Sequence, residues 1–111
     1  MVKIYYTTDT HGRILPINYA TGATSAQGIL ACGEEFDQDE GNRLIIDVGD
    51  TIQGSPFTKF MWEKLDKCII SEVLNKLGYK YITLGNHDFN YGYKALRKYV
   101  GATRSVLKRY C

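Results

Sequence analysis

Cysteine, histidine and proline are scarce in this chain. Three cysteines, two histidines and two prolines stand among 111 residues. Cys32, Cys68 and Cys111 are odd in number and widely spaced, and no C-x-x-C occurs. Neither a disulfide framework nor a cysteine-built zinc site is indicated, so they read as reduced thiols. Charge of one sign is also lacking: 14 basic against 12 acidic residues leave +2. That balance gives no electrostatic argument for a nucleic-acid polymer. A weak basic cluster at Lys94, Arg97, Lys98, Arg104, Lys108 and Arg109 reads as a solvated helix face. No apolar run approaches the length of a membrane span. Met1-Val2-Lys3 runs into a short strand pattern with no apolar signal segment, so the sequence as written is expected to stay in the cytoplasm. No G-x-x-x-x-G-K-[ST] and no G-x-G-x-x-G is present, which leaves nucleotide cradling by a glycine-rich loop unsupported. No repeat, low-complexity tract or linker divides the chain. Its 44% apolar content suffices for one real core. The nine tyrosines mostly flank apolar runs and read as half-buried packing.

What is present is a repeated arrangement. Val2 to Thr7, Leu44 to Val48 and Tyr81 to Leu84 are apolar, β-branched or aromatic, and each predicts a strand. The second is continuous in apolar character except at Asp47, as expected of a strand covered on both faces. Between them lie helical patterns. Ile29, Leu30, Cys32 and Phe36 predict a helix over Ser25 to Phe36, with Thr24 or Ser25 as cap. Asp37 to Asn42 is an acidic turn. Ser55-Pro56 is a good helix start, with the hydroxyl as cap and proline at the first helical position. Phe57, Phe60, Met61 and Leu65, then Ile70, Val73, Leu74 and Leu77, predict one interrupted helix or two, ended by Gly78. Tyr93, Leu96 and Val100 mark a last helix. Gly101 to Cys111 is short, basic and hard to place. The order β-α-β-α-β-α predicts an α/β fold with a mainly parallel sheet, in which ligands bind beyond the C-terminal ends of the strands.

Each strand empties into metal-ligand residue types. Ile4-Tyr5-Tyr6 leads to Asp9-Thr10-His11. Leu44-Ile45-Ile46 leads to Gly49-Asp50. Tyr81-Ile82-Thr83-Leu84 leads to Gly85-Asn86-His87-Asp88. Asp9 and His11, one residue apart in an extended segment, can offer an oxygen and a nitrogen to one metal. The Asp50 carboxylate can bridge two cations, Asn86 supplies a neutral oxygen, and His87 can donate a proton to a leaving oxygen. Carboxylate, imidazole and amide together suit Mn²⁺, Zn²⁺ or Fe²⁺ and argue against Ca²⁺.

D-x-H, then G-D, then G-N-H-[DE] resembles the opening half of the calcineurin-like metallophosphoesterase signature. Gly49-Asp50-Thr51-Ile52-Gln53-Gly54-Ser55-Pro56 and Gly85-Asn86-His87-Asp88-Phe89-Asn90-Tyr91-Gly92 resemble the 5′-nucleotidase and 2′,3′-cyclic-nucleotide 2′-phosphodiesterase branch. The likeness covers about residues 3 to 100. It implies that residues 1–111 are the N-terminal portion, a partial sheet, of a metallophosphoesterase catalytic domain. It also implies hydrolysis of nucleotide or cyclic-nucleotide phosphoesters with two divalent metal ions. By that resemblance Asp9, His11 and Asp50 bind the first metal, and Asp50 bridges to a second that Asn86 also binds. His87 and Asp88 are then the catalytic candidates, with Arg13 and Asp88 also placed to stand behind the ligands. Asn90 takes the place where 5′-nucleotidases usually carry an Asp, as in the cyclic-nucleotide members. The family's complete site draws on further histidines, whereas this sequence has only His11 and His87, and the tail Ser105 to Cys111 does not resemble the next strand expected. Turnover by these residues alone is therefore expected to be weak or absent. The alternatives are a non-catalytic metal-binding fragment or half of a split enzyme, completed by another chain or by self-association. The resembling family is often exported, in contrast to the cytoplasmic expectation.

Overall fold

The computed structural model describes residues 2–17, 20–24, 28–38 and 41–103, and the backbone of Leu107–Arg109. Along the chain stand β1 (Lys3–Thr7), α1 (Gly33–Gln38), β2 (Arg43–Asp47), α2 (Pro56–Lys64), α3 (Ile69–Leu77), β3 (Tyr81–Thr83), α4 (Gly92–Ala102) and β4 (Leu107–Arg109). The strands form one sheet in the order β1-β2-β3-β4. Every pairing is parallel, with Tyr5 opposite Ile45, Ile46 opposite Tyr81, and Tyr81 opposite Leu107. This is the expected α/β alternation, with β4 added. The tail, which in sequence does not resemble the next strand, nevertheless supplies it at Leu107–Arg109. Pairing at the β3 edge needs only open backbone N–H and C=O groups, so no apolar pattern announced it.

Strands in sequential order, joined by crossovers of one hand, place their helices on one face of the sheet. The core lies there. Ile45 and Ile82 of the sheet are buried with Phe36, Met61, Ile70, Leu74 and Tyr99 of the helices. Burying side chains of this size contributes roughly 1.5–3 kcal/mol each. The other face is open: Val2, Ile4 and Tyr6 are 63–69% exposed. β2 is accordingly covered on one face, not two. Its Ile45 and Asp47 are buried, Leu44 and Ile46 are half-buried, and Val48 is exposed.

Local signals set most helix ends. Ser55 accepts the Thr58 N–H at 3.2 Å while Thr58 Oγ1 accepts the Ser55 N–H at 3.2 Å, a reciprocal box with Pro56 at the first position. The interrupted pattern is two helices, and α3 ends at Gly78 in the left-handed conformation. The first helix begins later than expected. Gly28 has φ 91°, which no helix accommodates, so a 3-10 turn over Ile29–Cys32 and then α1 follow it and reach past Phe36 to Gln38. Thr24 is bridged to Ile17 instead of capping. Ser25 and residues 39–40 of the acidic turn lie outside the described residues. In α4 the buried residues are Ala95 and Tyr99, whereas Tyr93 is 75% exposed. Tyr99 goes inward because its hydroxyl finds a buried acceptor, described below.

Candidate metal centre

The loops leaving β1 and β2 are laced together by backbone hydrogen bonds that continue the strand pairing. Val48 N–H donates to Thr7 O (2.8 Å), Asp9 N–H to Gly49 O (2.9 Å) and His11 N–H to Asp50 O (2.9 Å). This lacing places Asp9 and His11 beside Asp50. One ligand atom from each of the three lies within 4.8 Å of the others. Asp9, His11 and Asp50 have φ of 55°, 50° and 56°, and among the described residues no other non-glycine residue has positive φ. Asp and His tolerate this region better than most residues, yet each such residue costs of order 1–3 kcal/mol. Three such residues at one cluster make it a candidate binding site.

Hydrogen bonds set how the three side chains could meet a cation. His11 Nδ1 lies 2.9 Å from the carbonyl of Gln53. That oxygen can only accept, so Nδ1 carries a proton, and in the neutral ring Nε2 keeps its lone pair, the usual arrangement of a metal-binding imidazole. Nε2 lies 3.7 Å from Asp9 Oδ1. Thr8 Oγ1 donates to Asp9 Oδ2 at 2.6 Å and fixes that carboxylate. Asp50 is 8% exposed, and its Oδ1 accepts the His87 N–H at 2.8 Å.

The third loop closes on the cluster. The His87 ring meets that of His11 edge to face, centroids 5.7 Å apart. The Asn90 amide lies 3.1 Å from His87 Nδ1. An amide donating there leaves the proton of a neutral ring on Nε2. Gly85 is required by this approach, since a Cβ on it would stand 2.2 Å from Asp50 Oδ1. Asn86 opens the 3-10 turn Asn86–Phe89 and is exposed beside His87. Arg13 is exposed and lines a cavity of about 420 Å³ with Asp9, Thr10, Ile29 and Cys32.

Asp88 is not one of the three grouped ligand residues. It is fully buried, and its carboxylate accepts the backbone N–H groups of Asp50 (2.9 Å), Thr51 (2.8 Å), Ile52 (3.0 Å) and Gly85 (2.9 Å). It binds the second loop to the third. A further buried carboxylate escaped the reading of the sequence. Asp47, the one acidic residue of β2, accepts hydrogen bonds from Thr7, Thr51 and Tyr99. Burial pushes its carboxyl up to about 6; the Thr51 hydroxyl opposes this, Asp88 adds to it, and the Tyr99 and Thr7 hydroxyls oppose it.

The comparisons agree with this architecture. The family model for calcineurin-like phosphoesterases matches residues 2–111. The chain belongs to that family, whose members use divalent metals. It is 34% identical over 103 residues to the trifunctional nucleotide phosphoesterase protein YfkN of Bacillus subtilis, covering 82% of this chain and 7% of that protein. It is 31% identical over 105 residues to a 2′,3′-cyclic-nucleotide 2′-phosphodiesterase/3′-nucleotidase of Yersinia enterocolitica, covering 87% of this chain and 16% of that one. The crystal structure of the calcineurin-like phosphoesterase YfkN superposes with a TM-score of 0.83 at 28% identity, covering 94% of this chain and 35% of that one. This chain thus spans a small part of the length of the curated relatives it matches. Among the described residues no helix is long and apolar enough to cross a membrane.

Proposed function

We propose that this chain carries the metal-dependent phosphoester chemistry of the nucleotide-hydrolysing members, with cyclic nucleotides as the preferred substrate class and slow turnover on its own. The observation that carries this reading is the placement of His87 beside the cluster of Asp9, His11 and Asp50. The donor set fits a divalent cation: two carboxylates and an imidazole whose Nε2 lone pair is left free by the Gln53 carbonyl. Asp9, His11 and Asp50 would hold it, with Asn86 as a neutral oxygen ligand at the rim. When bound, such a cation polarises a phosphoryl oxygen and lowers the pKa of water. His87, its Nε2–H kept available by the Asn90 amide on Nδ1, donates a hydrogen bond that stabilises the charge developing on the phosphoryl or departing oxygen. Asp88 touches no substrate in this reading; it holds the Asp50 loop through four backbone N–H groups. The Asn90 amide beside His87 supports the cyclic-nucleotide assignment over a 5′-nucleotidase one. The test is hydrolysis of 2′,3′-cyclic AMP and bis-p-nitrophenyl phosphate with added Mn²⁺. Turnover is expected to fall by about a hundredfold in His87→Ala, and equal rates in both proteins would contradict the proposal.

The open face of the sheet favours a second reading, in which these residues are one portion of a larger catalytic unit. The coverage of 94% of this chain against 35% of YfkN supports it. Addition of a separately made C-terminal segment of such a relative then raises the rate, and an unchanged rate counts against it.

A further inference from the structure

Below the cluster, the Asp47 carboxylate is fully buried and, among the described residues, pairs with no basic side chain. Three hydroxyls take that part. Tyr79 OH lies 2.9 Å from Thr7 Oγ1, which in turn donates to Asp47 Oδ1 at 3.3 Å. Thr51 Oγ1 donates to Oδ2 at 2.5 Å and Tyr99 OH to the same oxygen at 3.3 Å. A buried charge held only by neutral donors is costly to keep. A residue whose task was packing alone would be better served by an apolar side chain.

Its partners suggest the task. Thr51 follows Asp50 directly and is pinned at two points, its N–H on Asp88 Oδ1 and its hydroxyl on Asp47 Oδ2. Between strand β2 and that pinned residue, the chain must pass through Asp50 at φ 56°. We infer that Asp47 is a positioning residue for the cation cluster: through the Thr51 hydroxyl it holds Asp50 in the left-handed conformation that brings its carboxylate to Asp9 and His11. The inference rests on the cation reading of that cluster, but its conformational part stands without a metal.

Two variants separate this role from a structural one, because each removes one donor from the same oxygen. Thr51→Val cuts the link to the loop; Tyr99→Phe cuts the link to α4. Mn²⁺ affinity by calorimetry, thermal unfolding, and amide hydrogen exchange of the metal-free protein are measured on both. Thr51→Val is expected to weaken Mn²⁺ binding about tenfold, as loss of a group behind a ligand does, and to speed exchange over residues 49–54 but not in α3. Tyr99→Phe is expected to lower the unfolding temperature and leave Mn²⁺ affinity within about twofold. Thr51→Ser, which keeps the hydroxyl, restores the wild-type values. Equal losses of affinity in Thr51→Val and Tyr99→Phe, or no loss in either, would overturn the inference. Should the wild type bind no Mn²⁺, the cation reading fails while exchange over residues 49–54 still decides the positioning role. Should Thr51→Val not fold, Asp47→Asn is read by the same exchange measurement, with unchanged protection over residues 49–54 as the contrary result.

Discussion

Asp47 makes the stability of the molecule depend on pH in an unusual direction. Its carboxyl rises from 3.8 to about 6 on folding, chiefly through burial. The folded state therefore holds this proton more tightly than the unfolded state does. The stabilising contribution is complete below about pH 4 and is lost as pH rises through about 6. A shift of this size corresponds to about 3 kcal/mol. Asparagine at this position cannot ionise. The stability of Asp47→Asn relative to wild type should therefore improve by up to about 3 kcal/mol between pH 4 and pH 7, as read by urea unfolding at both. An identical difference at the two pH values would mean that Asp47 titrates as it does in the unfolded chain. At this scale the sequence showed ligand types but not their supports. Asp9, His11 and Asp50 stand out because each follows an apolar run. The carbonyl of Gln53 that orients His11, and the hydroxyls of Thr7 and Tyr99 that reach Asp47, come from segments 40 or more residues from their partners. No local pattern marks such pairs; the carboxylate among the apolar residues of β2 was the one available signal.

Among the elements, α2 links packing to the site. Its cap, Ser55, also donates to the carbonyl of Gly12 at 3.2 Å, beside the candidate ligand His11. Ser55→Ala removes the cap, at a cost of about 1 kcal/mol, together with a tie to the ligand loop. A drop in unfolding free energy of about 1–2 kcal/mol is expected by denaturant titration, and no change would show that neither bond contributes. Helix ends with their own chemistry, such as Ser55-Pro56 and Gly78, were legible in the sequence because the signal and the structure occupy the same few residues. The start of α1 was not, since the backbone of Gly28 and the pairing of Ile17 with Thr24 set it. The inward face of α4 was legible in part, since Val100 packs against the core while Tyr93 is exposed. Periodicity admitted Tyr93, but the acceptor that draws Tyr99 inward is Asp47, far away in sequence. β4 was illegible for a related reason, as a short basic segment gains its strand from the edge it meets.

The molecule as a whole has a helix-covered face and an open face. Parallel sheets are normally buried on both sides, and exposed Val2, Ile4, Tyr6 and Val48 make an apolar surface that favours association. Light scattering across increasing concentration is expected to show masses above the 12.6 kDa of one chain. Tyr6→Lys combined with Ile4→Lys should return the mass to that of one chain, and a single-chain mass for the wild type at every concentration would count against association. The other end of the sheet carries the central claim, that three strained residues at strand ends form a cation site. Mn²⁺ titration of the wild type beside Asp50→Ala tests it most directly. Saturable binding that is lost in Asp50→Ala, with the variant still folded, is the predicted result. Undiminished Mn²⁺ binding by the folded variant, or none by the wild type, would contradict it.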